Sequence, residues 1–371
     1  MQILKLATAL PENEFSTEEL LKAFPCTLPE QVKQNVLNLG VRKRCLISHR
    51  SLSQKSEAVL GEDELVDLCS EACGKALDKA DIPTSDIGYF IATYDVNPFL
   101  SPGLSQILVR QLGFNPYIRH VNAQGIASTA FPKALELAGN HLAAHPDDYV
   151  LICVSGVSSY WFQNQVRGLR NVAEISQIRL MRNAQARALQ LRNWVATMEF
   201  FLFGDGVAAA VVAKGKKGLS VKRLVEVTNV GKNDYLAGYS RLSAVNEPFR
   251  FGFYSHLDRK IPDLGVKYTK LALKKLLGKN AKKITSATKK WVIHTGSQKI
   301  LNLLAEGNAI DGEKIAESRS VLQEYGNLSG ASLPFILEKV VSDGGLSVGD
   351  VILMVGYGWG FSAAAGLLEI S

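Results

Sequence analysis

Three side chains in this sequence are suited to handling a carbonyl group: His294, Asn327 and Ser128. His294 follows the apolar run Trp291-Val-Ile, which predicts the end of a buried strand. A neutral imidazole held there can donate one hydrogen bond to a carbonyl oxygen. Asn327 falls just before a predicted helix, and its amide can donate to the same oxygen. Two fixed donors aimed at an oxygen that gains negative charge are the usual electrostatic device for acyl chemistry. Ser128 stands at the start of a predicted helix from Thr129 to Ala138, where helix-terminal N–H groups favour an anion. A serine hydroxyl nevertheless needs a base before it attacks. Taken singly, these residues also read as a satisfied core histidine, a capping asparagine and an N-cap serine, and residue type alone favours that plainer assignment.

The elements that must position them repeat. Ile82 to Phe90 (IPTSDIGYF) lies over Ile284 to Val292 (ITSATKKWV) at an offset of 202. At the same offset Pro132, Leu135 and Glu136 lie over Pro334, Leu337 and Glu338. Val150 to Val154 and Val351 to Val355 are matching aliphatic runs, and each half ends in a Gly-x-Gly turn before a small-residue strand, FGDGVAAAVV from Phe203 and YGWGFSAAAGLL from Tyr357. The shared order implies a duplication. Runs this continuous predict strands covered by helices on both faces. The expectation is a layered α/β fold of two similar halves, residues 1–215 and 216–371, whose loops face one central site.

The offset shrinks to about 154 at the Gly-x-Gly turns, so the first half carries an insertion at about 156–203. From Gln165 to Trp194 it holds Arg167, Arg170, Arg179, Arg182, Arg187 and Arg192 against one acid, Glu174. Apolar residues at helical spacing (Val172, Ile175, Ile178, Leu189, Trp194) predict amphipathic helices. A solvated basic face is the plain explanation. A cap over an acyl tunnel, or a docking face for an acidic carrier protein or an anionic membrane, is the alternative.

At 371 residues with 47% hydrophobic and 21% charged residues, the composition is that of a well-packed α/β protein. No apolar run reaches the roughly 18 residues that span a bilayer, and the first residues lack a secretory pattern. Five scattered cysteines fit reduced thiols in a cytosol. A net charge of +7 suggests an acidic ligand or partner. No nucleic-acid motif accompanies it.

Several segments carry a resemblance. Tyr94 to Ser105 (YDVNPFLSPGLS), Asn122 to Phe131 (NAQGIASTAF) and Leu142 to Pro146 (LAAHP) resemble the nucleophile region of plant very-long-chain 3-ketoacyl-CoA synthases. The run Ala127-Ser-Thr-Ala-Phe is similar to the nucleophile segment of ketoacyl-ACP synthase III. Ile293-His-Thr-Gly and Glu324-Tyr-Gly-Asn-Leu-Ser resemble the histidine and asparagine motifs of chalcone synthase, and Gly356-Tyr-Gly-Trp-Gly-Phe its C-terminal glycine turn. The chain thus resembles the condensing enzymes of the thiolase superfamily along nearly its whole length, outside the insertion.

That resemblance implies a thiolase-like fold and a decarboxylative Claisen condensation on coenzyme A or acyl-carrier-protein thioesters, with no cofactor. It implies a homodimer in the cytoplasm, with a peripheral membrane contact as an alternative. It places Ser128 where the family keeps its nucleophilic cysteine, and makes His294 and Asn327 the donors. Three explanations of the serine stand open: a cysteine-to-serine substitution, a natural serine acyl carrier, or a silent partner subunit that retains the fold. Arg44, within the basic run Arg42 to Arg44, is a candidate for the coenzyme A phosphates. Gly296 and Ser297 are candidates for a pantetheine arm, and Phe99 and Phe361, with Phe131, Trp161 and Phe162, for the tunnel wall. A degradative thiolase is disfavoured, since the second half holds no cysteine.

Overall fold

The aliphatic runs become strands buried on both faces, and a hinge of antiparallel pairing joins the two halves. The computed structural model describes residues 1–47, 62–94, 101–242, 253–343 and 345–371. The first half begins with β1 (Gln2–Ala9), then β2 (Glu14–Ser16), α1 (Thr17–Lys22), α2 (Glu30–Leu37) and β3 (Lys43–Cys45), which pairs with β2. It continues through α3 (Glu62–Ala80), β4 (Ile87–Tyr94), α4 (Leu104–Gln111), β5 (Arg119–Gln124), α5 (Ala130–Ala144) and β6 (Tyr149–Ser155). The insertion supplies α6 (Ser159–Val166), α7 (Ile175–Leu180) and α8 (Ala184–Leu202), and β7 (Val207–Ala213) closes the half.

The second half opens with β8 (Leu219–Thr228) and a hairpin, β9 (Gly238–Leu242) and β10 (Phe253–Leu257). It runs on through α9 (Ile261–Leu277), α10 (Ala281–Ala287), β11 (Thr288–Ile293), α11 (Gln298–Gly307), α12 (Ala316–Tyr325) and α13 (Ser332–Ser342). It ends in β12 (Val351–Gly358) and β13 (Ser362–Ile370).

Among the described residues nine strands form one ladder in the order β11-β12-β13-β8-β1-β7-β6-β4-β5. Read outward from the β1–β8 pair, β7-β6-β4 on one side answers β13-β12-β11 on the other. Strand periodicity splits each strand between two layers. Val150, Ile152 and Val154 of β6 and Ala208, Ala210 and Val212 of β7 face α5 and α13, whereas Leu151, Cys153, Ala209 and Val211 face α3. Ile352 and Met354 of β12 also face the central helices, while Leu353 and Val355 face α9 and α11. The result is five layers with α5 and α13 in the middle. This is the two-half layered α/β fold that the repeat predicts.

Both central helices carry apolar residues at helical spacing, Phe131, Ala134, Leu135, Ala138 and Leu142 on α5 and Leu333, Ile336, Leu337 and Val340 on α13, all buried. The repeated prolines, Pro132 and Pro334, fall in their first turns, where the missing N–H has no intrahelical partner to lose. The helix expected from Thr129 is preceded by a 3-10 turn, Ala127–Thr129, and a second such turn, Ser329–Ala331, precedes α13. Ala127 and Ser329, 202 residues apart, both take left-handed backbone, φ +43° and +47°. The insertion packs on α1 and α2 through Phe162, Val166, Val172, Phe200 and Phe201.

Candidate active site

The turn before α5 and the end of β11 bring Ser128 and His294 together although they lie 166 residues apart. Ser128 Oγ is 2.8 Å from His294 Nε2, and both residues are buried. His294 follows β11 directly, and its N–H donates to Val355 O on β12 at 3.0 Å. The ring of Tyr357 meets it edge-on, with centroids 5.3 Å apart. Burial pushes the imidazole down to about 3, so it is neutral at any ordinary pH.

The tautomer follows from the balance of hydrogen bonds. Nδ1 has no partner among the described residues. If Ser128 donated to Nε2, a buried N–H would be orphaned at Nδ1; if Nε2–H donates to Oγ, only a lone pair is unpaired. A buried donor without an acceptor is the rarer and costlier orphan. The balance therefore assigns the proton to Nε2, which makes His294 a donor facing Ser128. The third group that would hold the opposite tautomer, a carboxylate on Nδ1, is missing among the described residues.

Asn327 lies next in sequence to Gly326, whose carbonyl accepts from Thr295 Oγ1, beside His294, at 3.4 Å. Its N–H donates to Leu202 O at 2.9 Å, and its carbonyl accepts from Gly204 N at 3.3 Å. The Phe203-Gly-Asp-Gly turn at the end of α8 thus clamps the asparagine backbone. Its Oδ1 accepts from Ser329 N at 2.8 Å, a side-chain turn that leaves Nδ2 without a protein partner among the described residues. The predicted capping role is met only in this modified form, one turn before α13. The C-terminal glycine turn presses on the serine. A Cβ on Gly356 would stand 2.5 Å from Ser128 O, so only glycine lets β12 approach that closely.

Other predicted site residues lie elsewhere. Arg44 is fully buried rather than facing a soluble phosphate. Its Nη1 donates to Phe200 O at 3.1 Å and its Nη2 to Thr17 Oγ1 at 2.8 Å. Burial lowers the guanidinium to about 9, still charged at neutral pH, and the cation caps the carbonyl end of α8. Arg42 is the exposed member of that basic run. Gly296 gives way to Tyr357, whose hydroxyl would lie 2.1 Å from a Cβ there. Ser297 caps α11 by accepting from Ile300 N at 3.3 Å. Phe361 is core, packed beside Tyr268 at 5.2 Å, and Phe131 is core on the buried face of α5. Phe162 stacks on Phe203 at 4.7 Å, while Trp161 is only half-buried. Phe99 lies outside the described residues.

Two further residues shape the site without having stood out in the sequence. Asp205, fully buried, accepts from Ile47 N at 2.8 Å, Ser158 N at 2.8 Å and Ser159 N at 2.9 Å, and so ties the root of the insertion to the glycine turn. Tyr357 backs His294. Their only signal was membership in the two Gly-x-Gly turns.

Known proteins resemble this chain along nearly its whole length. The family model for the 3-oxoacyl-[acyl-carrier-protein (ACP)] synthase III C terminal matches residues 280–370, which include His294 and Asn327. The chain is 23% identical to 3,5-dihydroxyphenylacetyl-CoA synthase of Amycolatopsis balhimycina, over 98% of this chain and 91% of that protein. It is 25% identical to β-ketoacyl-[acyl-carrier-protein] synthase III of Clostridium perfringens, over 89% of this chain and 90% of that one. Among solved structures, 1,3,6,8-tetrahydroxynaphthalene synthase of Streptomyces coelicolor, a bacterial type III polyketide synthase, superposes with a TM-score of 0.80 at 22% identity, covering 100% of this chain and 99% of that one. The 3-oxoacyl-[acyl-carrier-protein] synthase III of Aquifex aeolicus superposes with a TM-score of 0.71 at 18% identity, covering 99% of each chain. With the five-layer fold, the chain is similar almost from end to end to condensing enzymes of the type III polyketide synthase and ketoacyl synthase III kinds.

Proposed function

We propose that this chain joins an acyl thioester to a malonyl-type thioester by decarboxylative Claisen condensation, with Ser128 in the acyl-carrying position and His294 and Asn327 as oxyanion donors. The carboxylate of the extender leaves as carbon dioxide, and the electron pair of the broken C–C bond becomes an enolate. Nε2–H of His294 and Nδ2–H of Asn327 hold the enolate oxygen. The enolate carbon attacks the acyl carbonyl and expels the side chain at position 128. The carbanion comes from loss of carbon dioxide, so this sequence calls on no redox group or metal. Coenzyme A or carrier-protein thioesters are the substrates. The halves divide near residue 215, between β7 and β8, with the acyl carrier in one and the donors in the other.

The observation that carries this assignment is the 2.8 Å contact between Ser128 Oγ and a neutral, donor-form His294. The same observation favours a weakened enzyme over a serine-dependent transferase. A buried histidine with no carboxylate behind it is a poor base for a hydroxyl. The chain should bind acyl-CoA and slowly decarboxylate malonyl-CoA while condensing poorly. Carbon dioxide release from malonyl-CoA separates the roles. Asn327→Ala should lower it by about 10²–10³, the usual loss of one oxyanion donor, and His294→Ala by at least as much. Undiminished release in both variants would remove the donors from the mechanism.

A further inference from the structure

We propose that the tip of the insertion, Arg179 to Leu189, anchors the protein on an anionic membrane surface. In a packed helix one face is buried. Here Ala184, Gln185, Ala186, Arg187, Ala188 and Leu189, the first turn and a half of α8, are all exposed, and burial begins only at Val195. The end of α7 projects with them. Leu180 is 82% exposed and Leu189 57%, so two large apolar side chains stand in water at the end of α7 and in the first two turns of α8. Lone exposed leucines are ordinary; two on a helix tip ringed by cations and lacking acids call for a contact surface.

The charges say which surface. Arg170, Arg179, Arg182 and Arg187 are exposed, and among the described residues none of them meets a carboxylate. Glu174, the sole acid from Gln165 to Trp194, bonds its own neighbour Ser176. A second copy of the chain would set these arginines against themselves across a two-fold axis. An acidic protein would answer the charge but not the two exposed leucines, which call for apolar volume. A bilayer answers both features: phosphates for the guanidinium groups and, some 5–10 Å deeper, apolar volume for the leucines. The tip lies on an excursion that the internal repeat lacks, so the anchor is independent of the chemistry assigned to Ser128.

The test uses the full chain with vesicles of phosphatidylcholine, with and without about one-third phosphatidylglycerol. The protein should sediment with the anionic vesicles alone, and added salt should release it. Arg179→Glu with Arg182→Glu and Arg187→Glu should weaken partition by at least about a hundredfold. Leu180→Asp with Leu189→Asp, which leaves every arginine in place, should weaken it by at least about tenfold at unchanged thermal stability and unchanged turnover of soluble thioesters. Absence of partition, or partition that both variants retain, overturns the proposal. So does a dimer that the same substitutions dissociate, or binding confined to an acidic carrier protein.

Discussion

Replacing Ser128 by cysteine should convert a poor acyl acceptor into a good one, and the structure sets the size of the effect. The proton must leave the nucleophile for His294 or for solvent. Either way the acceptor is the same in both forms, so the difference lies in the donor. A thiol ionises near 8.5 and a hydroxyl far higher, close to bulk water, a gap of about 7 units or about 10 kcal/mol. Nucleophilicity falls with basicity at a slope of about 0.5, which cancels half the gap and leaves about 5 kcal/mol, or about 10³–10⁴ in rate. The surroundings do not rescue the serine: His294 is held down to about 3 and carries its proton on the ring nitrogen that faces Oγ. A thiolate at the same place is favoured by the α5 start and by that N–H. The assay is intact-protein mass after brief incubation with acyl-CoA of graded chain length, comparing the chain with Ser128→Cys. The cysteine form should gain one acyl mass with release of coenzyme A at least about 10³ faster. If it gains none at any length, or if the serine form acylates at the same rate, the nucleophile has been misplaced.

Three other expectations test the surroundings. Glu199 is buried on α8 with neither carboxyl oxygen in a completed hydrogen bond, and burial raises it to about 8, eased only by the Ser255 hydroxyl. A folded value raised above 4.5 gives stability that is full below about 4.5 and lost as pH rises through about 8. Glu199→Gln should therefore stabilise the fold by roughly 3 kcal/mol at pH 7 and by little at pH 4.5, which denaturant unfolding at the two pH values will measure. Arg44→Ala should cost about 3–5 kcal/mol, because it strips a buried cation from Phe200 O and Thr17; a raised KM for coenzyme A esters at unchanged stability would restore the phosphate-binding role. The chain should be a homodimer, with β5 a free sheet edge among the described residues, and a 40.4 kDa species at micromolar concentration in sedimentation would refute that.

What the sequence made legible was whatever depends on period and order. Continuous aliphatic runs gave β6 and β12 to within a few residues, and the offset of 202 located both central helices through their prolines. The same offset reaches further than the pattern of side chains, since it also relates two left-handed residues, Ala127 and Ser329, that have no type in common. Direction within a short element was not legible. Arg42, Lys43 and Arg44 are three like charges in a row, and only the pairing of β3 with β2 decides which one turns inward. The insertion was legible as a solvated basic face, but not where its packing begins: Leu189, counted with the apolar stripe, is exposed, and α8 is buried only from Val195.

The serine shows where spacing stops and geometry begins. Order along the chain makes Ser128, His294 and Asn327 candidates for one site, but whether a serine can work there depends on the group behind the histidine, and that position has no fixed place in sequence. A carboxylate on Nδ1 would have made the pair a base and a nucleophile. With Nδ1 unpartnered among the described residues, Nε2–H of His294 and Nδ2–H of Asn327 are instead proposed as two donors to one oxygen. Such a site is prepared for the half-reaction that needs an oxyanion held, and unprepared for the one that needs a proton removed. A cysteine tolerates that arrangement because its thiolate forms without a strong base; a serine does not. The donor geometry is therefore matched to a thiol at position 128, and a hydroxyl there leaves decarboxylation possible while acyl transfer stalls.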